Sequence, residues 1–76
     1  MRKAICFEAY REGYGIDQIA DRAMTVGELT EILRDFDEDT LVVLSHDNGY
    51  TYGSISENTM RGFEEMDDGE FEETEF

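Results

Sequence analysis

Bases are scarce in this sequence. Six lysines and arginines stand against twenty aspartates and glutamates in 76 residues, leaving a net charge of −14. Direct nucleic-acid binding draws its affinity from neutralised phosphates, so this deficit excludes it. Anionic membrane surfaces are disfavoured for the same reason. Cysteine is nearly absent as well. Cys6 is alone, which excludes an intrachain disulfide and a Cys-rich zinc site and fits a reducing compartment. No apolar run approaches the roughly 18 residues of a membrane span, and no charged-then-apolar leader opens the chain. The expected location is the cytoplasm, with no cofactor. The single histidine, His46, has no nearby nucleophile. Phosphate-cradling glycine loops, CxxC pairs and HExxH helices do not occur.

What is present begins with a strand-like segment over residues 3–9, where Ile5, Phe7 and Ala9 fall on one side. Two glycines then interrupt YREGYGIDQIADR, which reads as a loop followed by a single-turn helical piece. The strongest element starts at Met24. Thr25-Val-Gly-Glu28 is a capping box, and Met24 and Leu29 stand at hydrophobic-staple positions. Val26, Leu29, Ile32, Leu33 and Phe36 recur at helical spacing, so the spacing predicts a helix over 25–36. Asp37, Glu38 and Asp39 burden its negative end. Leu41-Val-Val-Leu44 reads as a strand. Asn48-Gly49 is a hairpin signal that would place His46 opposite Thr51, Ser45 opposite Tyr52 and Val42 opposite Ile55.

From Glu57 onward nine acids face Arg61 alone, a charge of −8, with Met60, Phe63, Met66, Phe71 and Phe76 dotted among them. This is the acidic-hydrophobic pattern of interaction tails, with a short helix expected over 58–67. The fold expected is a small α+β domain over 1–56, in the order strand, helix, strand, hairpin, strand. One helix packs on a three-stranded antiparallel or mixed sheet, and 57–76 form an acidic tail. The uncovered sheet face calls for a partner, either the tail through Phe63 and Phe71 or a second copy in a homodimer.

The segment MTVGELTEILRDFDEDTLVVLS, followed by DNGYTYGSI, resembles a pattern of small uncharacterised proteins of bacteria and their phages: T-V-x-E-L, a short helix, F/L-D-P-D, then an apolar strand and a hairpin. The resemblance covers about residues 24–55, with Glu38 where proline is common. It implies the fold and a mobile-element context, and it carries no activity and no site.

Three constellations are candidates for chemistry. His46 and Asp47 are adjacent on a strand and so point to opposite faces, which argues against acid–base catalysis. Asp35-x-Asp37-x-Asp39 resembles the start of a calcium loop, but Thr40 and His46 stand where glycine and glutamate are needed. No metal site is expected there. The third is acid density without matching bases: Asp35, Asp37, Glu38 and Asp39 at the helix end, and Glu64, Glu65, Asp67, Asp68, Glu70, Glu72, Glu73 and Glu75 in the tail. With His46, Tyr50, Tyr52, Phe63 and Phe71 as flanking contacts, these carboxylates suit a basic partner. The expectation is a protein without enzymatic activity that inhibits a basic host protein, a nuclease or CRISPR effector, by imitating nucleic acid. The competing expectations are a regulatory or structural adaptor that oligomerises through its sheet face, and a small metal-dependent enzyme.

Overall fold

The computed structural model describes residues 1–75. Its elements are β1 (Ala4–Glu8), α1 (Ile16–Ile19), α2 (Val26–Leu33), β2 (Leu41–His46), β3 (Thr51–Ser54), a 3₁₀ turn (Glu57–Thr59), β4 (Gly62–Glu65) and β5 (Phe71–Thr74). The architecture is α+β. The chain divides into two units, one of Met1–Tyr10 with Met24–Ile55, the other of Arg11–Ala23 with the chain from Ser56.

The first unit is built on a mixed sheet in the order β1-β2-β3. β1 runs parallel to β2, with Ile5 opposite Val42 and Phe7 opposite Leu44. β2 and β3 are antiparallel, with Ser45 opposite Tyr52 and His46 opposite Thr51, as Asn48-Gly49 predicts. The turn carries three consecutive left-handed residues: Asp47 (φ 53°), Asn48 (φ 58°) and Gly49 (φ 87°). Asn48 and Gly49 match a type I′ turn. The Tyr50 amide is shared between the carbonyls of His46 (3.1 Å) and Asp47 (3.2 Å).

α2 begins where the capping box places it. The Thr25 hydroxyl accepts the Glu28 amide at 3.1 Å, and the Glu28 carboxylate accepts the Thr25 amide at 3.0 Å. The helix ends at Leu33, three residues before the predicted end. Asp35 and Phe36 donate to Ile32 and Leu33 through i→i+3 bonds, which tighten the last turn. Acids beyond it repel the helix dipole, and a turn closed by the Thr40 amide on the Asp37 carbonyl (3.0 Å) leads into β2.

Strand alternation puts Ile5, Phe7, Val42 and Leu44 on the sheet face toward α2, and Cys6, Glu8, Val43, Ser45 and Tyr52 on the other. Between helix and sheet lies a groove of about 460 Å³, floored by Ile5, Val42, Leu33 and Phe36 and rimmed by Arg34, Asp37 and Glu38. The predicted close packing of the whole apolar stripe is therefore corrected. Leu33 is half-buried, whereas Val26, Leu29, Ile32 and Phe36 are exposed. Among the described residues only Ser45 is buried, at 6% exposure, and no apolar side chain is. An eight-residue helix is about 12 Å long, too short to cover a three-stranded sheet, and a unit this small fills a core with difficulty.

In the second unit α1 is a single turn. The Gln18 side chain accepts the amides of Tyr14 (2.6 Å) and Gly15 (3.3 Å), half of a capping box made by a side chain reaching back. Arg22 donates to the Gln18 carbonyl (3.1 Å) and lies 3.6 Å from the Glu12 carboxylate. The helix predicted over 58–67 is replaced by the short 3₁₀ turn and the first strand of a β4–β5 hairpin. Ser56 caps the turn by accepting the Asn58 amide at 3.1 Å. The hairpin reversal is Met66–Glu70. Met66 donates to the Glu70 carbonyl (2.7 Å), Gly69 donates to the Met66 carbonyl (2.9 Å), and Gly69 is left-handed at φ 87°. That is a three-residue loop closed by a glycine bulge. Glutamate is a poor strand former, but Asp68-Gly69 sets the reversal and Phe63 and Phe71 supply an apolar pair.

Candidate functional site: an acidic hairpin

The register of the second hairpin sets its electrostatics. Glu64 lies directly opposite Glu72, Phe63 opposite Glu73 and Glu65 opposite Phe71. Alternation then puts Glu64 and Glu72 on one face, and Phe63, Glu65, Phe71 and Glu73 on the other. Asp67 and Asp68 ride on the loop, where the Asp68 carboxylate accepts the Glu70 amide at 3.0 Å. Four rungs of antiparallel ladder span about 14 Å. They carry four glutamates, Glu64 and Glu72 together on one rung and Glu65 and Glu73 on the other face.

Arg61 answers one of these acids. Its guanidinium makes a two-point contact with Glu73, Nη2 to Oε1 at 2.7 Å and Nε to Oε2 at 3.2 Å. The hydrogen bonds, and then the opposite charge, hold the Glu73 carboxyl below and the Arg61 guanidinium above their ordinary ranges. Arg61 also lies 5.4 Å from the Phe63 ring centroid, within cation–π range. Glu73 is thus engaged inside the hairpin and is not equivalent to the other predicted acids. Glu64, Glu65 and Glu72 are exposed on the ladder.

The predicted acids at residues 35–39 belong to the first unit. Asp37 and Glu38 rim its groove with Arg34, while Arg34 itself bonds Glu31 at 3.0 Å. The Glu28 carboxyl is lowered, chiefly by its bond from the Thr25 amide. Among the described residues, no three His, Cys, Asp or Glu side chains form a set that could hold a metal ion.

His46 ends β2 with its side chain exposed, and Asp47 starts the left-handed turn. Tyr50 is 85% and Tyr52 67% exposed, so both tyrosines are presented outward. Sequence reasoning missed a contact on the face away from α2. There the Ser45 hydroxyl donates to Glu8 at 3.4 Å, in a shallow depression that Cys6 and Tyr52 also line. The parallel register that pairs Glu8 with Ser45 has no local sequence signal. Among the described residues no helix is long and apolar enough to cross a membrane. Comparison with family models, with curated proteins and with solved structures finds no match.

Proposed function

We propose that this chain is a binding protein without catalysis of its own, which lays its acidic hairpin into the positive groove of a nucleic-acid-processing enzyme and inhibits it by competition. The observation that carries this reading is the direct opposition of Glu64 and Glu72. Like charges facing across a ladder destabilise it, so the hairpin bears a cost that a basic partner would reverse. Exposed carboxylates, Glu64 and Glu72 on one face and Glu65 on the other, supply the attraction, and Phe63 and Phe71 beside Glu65 give that second face a register. Association of this kind is fast and weakens with salt. The favoured target is a host defence enzyme, a restriction nuclease or CRISPR effector, with the chain serving a phage or mobile element. That context rests on the resemblance of residues 24–55.

The test is capture of basic proteins from host lysate at low and at high salt, followed by identification of what is retained. A Glu64→Gln, Glu65→Gln, Glu72→Gln variant keeps the Arg61–Glu73 contact and should lose the salt-sensitive partner. Capture that survives the triple change refutes the reading. A second reading, an adaptor that associates through its sheet, is favoured by the open face bearing Cys6 and Tyr52, both exposed.

A further inference from the structure

We propose that β1 is a self-association edge: two copies pair antiparallel through Ala4–Glu8, centred on Cys6, and join their sheets into one of six strands. The proposal is independent of the acidic-hairpin reading. β1 is the terminal strand of its sheet. The Leu41 amide donates to the Lys3 carbonyl at 2.9 Å, and the unbroken register that follows turns the backbone groups of Lys3, Ile5 and Phe7 toward β2. Those of Ala4, Cys6 and Glu8 therefore point away from the sheet. Such a row is a pairing template, and natural edges usually blunt it with lysine, proline or a bulge. None of these interrupts Ala4–Phe7. The other edge, β3, is one residue shorter and contains Gly53.

Charge selects a second copy and its direction. Two of the chain's six bases, Arg2 and Lys3, immediately precede β1, and Glu8 closes it. An antiparallel pair centred on Cys6 matches every outward group: Cys6 with Cys6, and Ala4 with Glu8 in both senses. Ile5 then meets Phe7 of the other copy in the closely spaced, non-hydrogen-bonded positions. Arg2 and Glu8 of opposite copies become diagonal neighbours on one face, within reach of long side chains. A parallel pair would instead set bases against bases. The axis of this pairing is perpendicular to the sheet, so both α2 helices remain on the same side.

The test uses the full chain under reducing conditions at about 0.15 M salt, where repulsion beyond about 8 Å is screened. Light scattering should report a dimer. Cys6→Pro removes the outward N–H at the centre of the pair, leaving the bonds to β2, and should be folded by circular dichroism and monomeric by light scattering. Glu8→Arg places like charges at two symmetric positions and should weaken the dimer roughly two- to thirtyfold. Adding Arg2→Glu should restore it. Because Cys6 is the sole thiol, a short bis-maleimide should link two chains in the native protein, and less so in Glu8→Arg. A monomeric native chain overturns the proposal. So does a dimer indifferent to Glu8→Arg, or one kept by folded Cys6→Pro, and if that variant does not fold the charge reversal decides.

Discussion

Glu72→Gln should stabilise the hairpin that carries the acids. Glu64 and Glu72 are direct cross-strand partners. Counting back from the Met66–Glu70 hydrogen bond (2.7 Å), they occupy a hydrogen-bonded rung, where Cα atoms lie about 5.5 Å apart. With the carboxylates splayed to about 7 Å in water, their repulsion is about 0.6 kcal/mol before screening and roughly half that at physiological salt. Both values fall within the range measured for cross-strand pairs, about 0.2–1 kcal/mol. Removing one charge should therefore raise local stability by about 0.3–0.6 kcal/mol, a two- to threefold slower opening-limited exchange of the Glu64 and Glu72 amides. Native-state hydrogen exchange reads this at single residues, and the gain should shrink as salt is added. Unchanged or faster exchange in Glu72→Gln would refute the idea that these acids strain the ladder.

Thr25→Ala removes the hydroxyl that caps α2 and should cost about 0.5–2 kcal/mol, read as a lower urea midpoint for the first unit. Gly69→Ala meets no atom within 4 Å but forces a side chain onto φ 87°. It should destabilise the hairpin by about 1–2 kcal/mol, seen as lost amide protection in β4 and β5. The Glu28 and Glu73 carboxyls are lowered in the fold from an ordinary 4.5. Their contributions are thus complete above the unfolded pKa and are lost as pH falls through the lower folded values. Side-chain NMR titration should find both below ordinary glutamates, and Arg61→Ala should return Glu73 alone toward the usual range.

Legibility in the sequence followed the range of the interactions involved. Thr25-Val-Gly-Glu28 closes within one helical turn and Asn48-Gly49 within one hairpin, so the start of α2 and the β2–β3 register could be read directly. The second hairpin has a comparable local signal in Asp68-Gly69, flanked by Phe63 and Phe71. It was masked by glutamates, whose weak strand preference is overridden once the turn sets the pairing. At the candidate site, composition announces the acids but not their pairing. That Glu64 opposes Glu72 while Glu73 is taken up by Arg61, twelve residues away, depends on the turn length. The parallel alignment of β1 with β2, and with it the Ser45–Glu8 contact, joins positions 37 apart with no periodic trace between them. The thin cover of α2 was also hidden, because an apolar stripe states which face is buried without stating how much of the sheet it reaches.

The central claim is that the hairpin stands in for nucleic acid. The most direct measurement is competition on the basic partner recovered at low salt: labelled nucleic acid is bound to that partner and the chain is titrated in. The account predicts displacement of the nucleic acid, a steep loss of competition as salt rises, and little competition from the Glu64→Gln, Glu65→Gln, Glu72→Gln variant. A ternary complex in which partner, nucleic acid and chain coexist, or a triple variant that competes as well as the native chain, would contradict it.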